Sequence, residues 1–250
     1  MRLTLNILPY QVNHLFKTIS DIYSFIDVKL KVLEILKTCW MGNLPVVRPF
    51  LCLDTELDRV FLINQDGKKI ISFTFGFNVK VHDCNLEGSN NYIRRIGYKS
   101  QPQEITEEMV SGCFSILSDL RSREDNIYWA LNLSDGVEGM TNYLEIVQLF
   151  EYIMMQEPGY LRYDDDLKNE RKPFHPRYHI DVNYSELAHY KIGLGKSITM
   201  NDIWYMLAAD KKCPYLQIEH SRYDILEPIE LEKKRKKKRN KRNKRAKMHK

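Results

Sequence analysis

The sequence is poor in cysteine and contains no closely spaced cysteine pair. Only five cysteines occur in 250 residues, and no two are closer than 13 positions. A thiolate zinc knuckle, which needs a Cys-x-x-Cys pair, is therefore not expected. The odd number and low density of cysteines favour free thiols in a reducing compartment. The predicted location is the cytoplasm, or the nucleus in a eukaryotic host.

Long apolar runs are missing as well. No stretch approaches the roughly 18 apolar residues that a membrane-spanning helix requires, so we expect no transmembrane segment. The first apolar residues are interrupted by polar ones before position 15, and no small-residue cleavage site follows. We therefore expect no secretory signal peptide.

Acidic residues are absent from positions 233–250, where 13 of the 18 residues are Lys or Arg. Residues 1–232 contain 25 basic and 33 acidic side chains, so this part of the chain carries a net charge of −8, although the whole chain carries +5. A run of like charges repels itself and cannot form a packed core. We predict a single acidic domain over 1–228, followed by a disordered polybasic tail over 229–250.

A cationic tail of this kind is typical of a polyanion contact. It contains no aromatic residue, so bases cannot stack on it, and we predict binding to DNA or RNA without sequence preference. Contact with anionic lipid and a role in solubility alone are the alternatives. The predicted nucleic-acid-binding residues of the tail are Lys233, Lys234, Arg235, Lys236, Lys237, Lys238, Arg239, Lys241, Arg242, Lys244 and Arg245.

Apolar residues recur at helical spacing in four parts of the chain. The first part reads either as one amphipathic helix or as a pair of helices broken near Asp27. Thr106 and Thr199 stand at N-cap positions of two later helices. The predicted helices cover residues 10–39, 106–121, 142–155 and 200–209.

Short apolar runs separated by turn residues predict strands. Asp66–Gly67 is a strong hairpin signal between the runs Val60–Ile63 and Ile70–Phe77. Residues 85–103 are polar and are predicted to form a loop, with a domain sub-boundary near 85–105. The sequence therefore predicts an α+β fold with N-terminal helices, a mixed or antiparallel sheet with hairpins, and helices packed on one side.

The polar residues best suited to catalysis or ligand binding lie on a predicted hairpin of two strands, 177–184 and 188–194. Side chains alternate between the two faces of a strand. His175, Arg177, His179, Asp181 and Asn183 then share one face in the first strand, and His189 and Lys191 share one in the second. Three further carboxylates occupy residues 164–166, in a stretch predicted as a charged loop.

These residue types suit two kinds of site. Histidine and aspartate act as acid and base or bind divalent metal, which predicts Mg²⁺ or Mn²⁺ if the protein is a nuclease. Arginine and lysine bind phosphate, and Arg177 and Lys191 are the predicted phosphate contacts of the hairpin. The predicted catalytic residues are His175, His179 and Asp181, and the predicted metal ligands are Asp164, Asp166, His179 and Asp181.

Three functions remain open from the sequence. The first is a nucleic-acid-associated protein whose tail provides affinity. The second is a metal-dependent nuclease or phosphodiesterase that uses the His/Asp face of the 175–191 hairpin, with the tail recruiting the substrate. The third is an adaptor or regulatory subunit without catalysis, whose acidic body binds a protein partner. The polar face is also compatible with an ordinary solvated sheet surface.

Overall fold

The computed structural model describes residues 1–38, 40–41, 46–82, 91–123, 142–171, 174–185 and 188–208. The predicted tail lies outside these residues. The described helices are α1 Pro9–Leu15, α2 Ile22–Thr38, α3 Glu107–Arg123, α4 Tyr143–Met155 and α5 Met200–Leu207. The described strands are β1 Arg2–Asn6, β2 Trp40–Met41, β3 Phe50–Asp54, β4 Arg59–Ile63, β5 Lys69–Thr74, β6 Phe77–His82, β7 Asn91–Tyr98, β8 Leu161–Asp165, β9 Tyr178–Val182 and β10 Tyr190–Gly193.

The N-terminal helical pair breaks between α1 and α2, so the predicted break near Asp27 is wrong. Asp27 lies inside α2 and is buried, but its carboxylate is paired with Lys17 and with Arg121. These partners satisfy the charge without interrupting the helix. The chain turns earlier because Asp21 accepts a hydrogen bond from the Ser24 amide at 2.7 Å, which caps the first turn of α2.

Seven strands form one sheet in the order β1-β3-β4-β5-β8-β9-β10, and each neighbouring pair is antiparallel. The predicted Asp66–Gly67 turn joins β4 to β5, and Gly67 adopts a φ of 71° that favours glycine. The predicted strand over 70–77 is divided into β5 and β6. Gly76, with a φ of 80°, lies at the division and directs β6 into a second sheet.

The second sheet has the order β2-β7-β6. The loop prediction for 85–103 is therefore wrong over β7, while residues 83–90 lie outside the described part of the chain. The register of β6 against β7 shifts at Lys80/Val81, so β7 contains an extra residue there. Ile93 and Ile96 consequently pack on the same core although they are three positions apart. This bulge obscures the alternation by which a strand is recognised in a sequence.

Helices α1 to α4 and one face of the large sheet share a single apolar core, so four of the five described helices pack on one side as predicted. Helix α5 packs on the opposite face, where Ile203 meets Phe61, Tyr163 and Ile180. The α+β class is confirmed, and the sheet is antiparallel throughout the described strands. Among the described residues, no helix combines the length and the apolar character needed to cross a membrane.

Candidate functional site

A group of charged side chains projects from β8, β9 and β10 on one face of the large sheet. Asp164 lies opposite His179 in the register, and Asp181 lies between Arg162 on β8 and Lys191 on β10. The predicted alternation of His179, Asp181 and Lys191 is confirmed by this register. The same face carries the apolar core in β3, β4 and β5, so the sheet changes from apolar to charged at β8. We call the set Arg162, Asp164, His179, Asp181, His189 and Lys191 the polar centre.

Asp181 is the best-connected member of the polar centre. Its side chain is 1% exposed, and it accepts hydrogen bonds from Arg162 and Lys191. The Nε2 atom of His189 lies 3.2 Å from Asp181 Oδ1. Burial by itself raises the pKa of Asp181, but the hydrogen bond from Lys191 and the charge of Arg162 outweigh burial and hold the pKa below its ordinary value. Asp181 is therefore ionised at neutral pH.

His179 has a fixed orientation. Its Nδ1 atom lies 2.9 Å from the carbonyl oxygen of Pro176, which only accepts hydrogen bonds, so Nδ1 carries a proton. Nε2 then points to two carboxylate oxygens, at 3.7 Å from Asp164 Oδ2 and 3.8 Å from Asp181 Oδ2. A backbone carbonyl on one ring nitrogen and carboxylates beyond the other is the arrangement found around metal-binding histidines.

Asp164, His179 and Asp181 offer three ligand atoms within 4.8 Å of one another. Ligand atoms that share a metal at about 2.0–2.2 Å lie roughly 3–4 Å apart, so the donor set suits a divalent cation. The same Oδ2 atoms accept hydrogen bonds from Arg162, at 2.6 Å in the case of Asp164. A metal bound here would thus replace the guanidinium as the cation that bridges the two carboxylates.

A cavity of about 210 Å³ opens beside the polar centre. The α1–α2 turn at residues 18–20 forms one wall, and Arg162, Asp181 and Lys191 lie on the opposite wall. Tyr160 also lines the cavity, and the oxygen of its buried hydroxyl faces the Arg162 guanidinium, but no acceptor for the hydroxyl proton is found within the described residues. Burial raises the pKa of Tyr160 to about 12, so the hydroxyl keeps its proton and remains available as a donor.

Two predicted residues of the hairpin lie outside this arrangement. His175 precedes β9 and contacts the His179 ring at 4.7 Å, but it is not among the three grouped ligands. Arg177 donates to Asp165 at 2.6 Å and stacks over Tyr178, so its side chain leaves the His179 face. The strand starts at Tyr178, and alternation does not extend to the residues before it.

Asp166, the remaining predicted metal ligand, also lies apart. It follows β8 and accepts hydrogen bonds from the amide and the side chain of Asn169, which makes it a turn residue. The predicted charged loop over 164–173 is wrong for Asp164 and Asp165, which are the last residues of β8. Because the carboxylates alternate in that strand, Asp164 alone of the three faces His179.

Sequence reasoning missed Arg162, Tyr160 and the α1–α2 turn. Arg162 had a usable signal, since an extended stretch from Tyr160 would place residues 162 and 164 on one face. No local pattern indicates that the turn at residues 18–20 lies across from β8 and β10, because that contact depends on how α1 and α2 pack. The predicted tail contacts from Lys233 to Arg245 lie outside the described residues.

Comparison with protein families, with curated proteins and with solved structures finds no match to this chain. Function is therefore inferred from the chemistry of the polar centre and from the distribution of charge along the chain.

Proposed function

We propose that this is a nucleic-acid-associated protein in which residues 233–250 provide affinity that does not depend on sequence. The supporting observation is the separation of charge, with 13 cations and no acidic residue in this segment against −8 for the rest of the chain. Each phosphate that a lysine or arginine neutralises releases counterions, so binding should be strong at low salt and weaken steeply as salt rises.

The net negative charge of residues 1–232 limits how the folded part approaches a polyanion. Most of its surface repels phosphate, so contact must be confined to places where cations gather. The polar centre is one such place, since Arg162 and Lys191 lie close together on one face of the sheet. The tail is thus proposed to hold the polymer while the folded part makes a local contact.

Retention on immobilised polynucleotide tests this proposal. Three chains are compared, namely the full chain, a chain ending at residue 232, and a full-length chain with every Lys and Arg of 233–250 replaced by Gln. We expect only the full chain to be retained at low salt and to be released as salt rises. A chain with the tail residues in shuffled order is the matched control and should be retained equally. Equal retention without the tail would refute the proposal and leave the adaptor hypothesis in its place.

A second candidate function is metal-dependent cleavage of phosphodiester bonds. The observation that favours it is the convergence of Asp164, His179 and Asp181, with ligand atoms within 4.8 Å. These residues would hold Mg²⁺ or Mn²⁺, and the bound metal would polarise a phosphoryl oxygen. Lys191 would contribute positive charge near the same group.

The matched pair His179→Ala and His14→Ala tests the second candidate, because His14 is an exposed histidine on α1. Nuclease activity is measured with Mg²⁺ and with Mn²⁺ on single- and double-stranded substrates. We expect His179→Ala and the milder Asp164→Asn to abolish cleavage, and His14→Ala to retain it. If the unmodified chain cleaves no substrate with either metal, the candidate is ruled out.

A further inference from the structure

The cavity between the α1–α2 turn and the polar centre is lined mainly by hydrogen-bond donors. Arg162 and Lys191 contribute charged N–H groups, and Tyr160, Asn183 and His189 contribute further polar groups. Among the lining residues that the structure describes, Asp181 is the single carboxylate. The described lining thus has two cations against this one carboxylate, and both oxygens of Asp181 already accept bonds from Arg162 and Lys191.

The cations keep donors that the carboxylates do not use. A guanidinium has five N–H groups, and Arg162 gives Nε to Asp164 and one terminal nitrogen to Asp181. An ammonium has three, and Lys191 gives one to Asp181. The two carboxylates thus hold the cations in fixed positions while further N–H groups remain for a bound anion, which is the geometry of a pre-organised anion site.

The Tyr160 hydroxyl independently indicates a ligand. Its ring is 3% exposed and packs edge-on against Tyr184 at 5.9 Å, yet the hydroxyl proton has no acceptor among the described residues, since Arg162 beside it can only donate. A buried hydroxyl without a partner destabilises the folded state, and a ligand oxygen in the cavity would satisfy it. Tyr184 itself stacks on Phe25 of α2 at 5.1 Å, so this wall is held by the core.

We propose that the cavity binds a single phosphate group, with Arg162, Lys191 and the Tyr160 hydroxyl as its donors. About 210 Å³ accommodates a phosphate with an adjoining sugar and is smaller than the roughly 300–1,000 Å³ of drug-sized sites. The ligand class is therefore a terminal nucleotide phosphate. Such a group is small enough to enter between the turn and the sheet, whereas a nucleic-acid duplex is too wide. The assignment to a nucleotide rests on the proposed function, whereas phosphate binding itself does not.

Calorimetric titration of the full chain tests the site. Inorganic phosphate, a nucleoside 5′-monophosphate and the matching nucleoside are titrated with EDTA present and at about 0.3 M salt, where binding by the tail is screened. We expect the two phosphates to bind and the nucleoside to give no signal. Lys191→Gln should weaken both phosphates by about tenfold or more, and Tyr160→Phe by about threefold or more.

The matched control is Lys68→Gln, which removes an exposed lysine from the β4–β5 turn, where it pairs with Asp66. Its dissociation constants should equal those of the unmodified chain. If Lys191→Gln and Tyr160→Phe also leave them unchanged, the cavity is not the phosphate site. Tyr160→Phe keeps the ring and decides the question if the lysine variant does not fold. EDTA removes divalent metal, so the titration measures phosphate binding and not metal binding. The retention experiment on immobilised polynucleotide tests the proposed function of the tail separately, so the two proposals can fail independently.

Discussion

At the scale of single residues, the buried side chains of Asp181 and Lys29 differ in whether a charged partner lies beside them. Asp181 is surrounded by Arg162 and Lys191, so its ionised form is stabilised. Lys29 on α2 is 0% exposed and lies between the rings of Phe25 and Phe77, at 5.7 and 5.9 Å from their centroids. Its Nζ donates to the side chain of Gln156, which is neutral. A buried charge without a charged partner favours the neutral form of the group.

Burial lowers the pKa of Lys29 to about 7, while the charge of Asp58 partly opposes this shift. The unfolded chain keeps a lysine pKa near 10.4. Between these two values the unfolded state binds more protons than the folded state, so the free energy of unfolding rises with pH. Below pH 7 Lys29 is protonated in both the folded and the unfolded state, and the free-energy cost of burying its charge is fully present.

We predict that Lys29→Met removes this pH dependence. The free energy of unfolding of the unmodified chain should rise by about 2 kcal/mol from pH 7 to pH 9 through Lys29 alone, because one unit of pKa shift corresponds to about 1.4 kcal/mol. Urea denaturation at pH 7, 8 and 9 measures the difference between the two chains, in which other titrating groups cancel. Lys31→Met, on the more exposed side of α2, should keep the rise. A rise of equal size in Lys29→Met would contradict the prediction.

At the scale of elements, local signals at helix ends were reliable. Thr106 accepts a hydrogen bond from the Met109 amide at 3.2 Å, as expected of an N-cap. Thr199 and Asp202 form a capping box at the start of α5, with the Thr199 amide donating to Asp202 Oδ2 at 2.7 Å. Capping depends on residues three positions apart, which a sequence displays directly.

We predict that Thr199→Ala lowers the free energy of unfolding by about 1 kcal/mol, because the amide of Asp202 loses its acceptor. Denaturant titration followed by circular dichroism measures the change. Thr38→Ala is the matched control, since Thr38 ends α2 and its hydroxyl donates to the Glu34 and Ile35 carbonyls of its own helix. The control should change stability by less than about 0.5 kcal/mol. Equal effects of the two substitutions would show that the cap contributes nothing.

At the scale of the whole molecule, both sheets share one core. Phe77 and Ile96 of the smaller sheet belong to the same apolar cluster as Leu51 and Leu62 of the larger one. Helices α2, α3 and α4 contribute to that cluster as well. A boundary near residues 85–105 would have to divide this core, which costs the free energy of exposing it.

We predict that the chain unfolds in one cooperative transition and that removing residues 229–250 leaves its midpoint unchanged. Far-ultraviolet circular dichroism reports on all helices and strands, whereas fluorescence from Trp204, isolated by replacing Trp40 and Trp129 with Phe in both chains, reports on the face covered by α5. The two midpoints in urea should coincide for both chains. Two separated transitions would instead support independent units and the predicted sub-boundary.

The charge asymmetry, the hairpin turn at Asp66–Gly67, the helix caps and the alternation of His179, Asp181 and Lys191 were all determined by the sequence itself. Each depends on neighbours within a few positions, or on the fixed period of a strand or a helix. The bulge in β7 was not readable, because the pairing partner decides it. The continuity of α2 through Asp27 was not readable either, because ion pairs with Lys17 and Arg121 decide it.

Tertiary structure alone decided that Arg162 bridges Asp164 and Asp181, and that the α1–α2 turn closes a cavity over them. The pairing of β8 with β9 brings together side chains 15 to 19 positions apart, and the packing of α2 on the sheet brings residues 18–20 to the same place. Such contacts follow from the burial of a shared core, which no local period encodes. The same physical reason explains why the ligand types were predicted but the cavity was not.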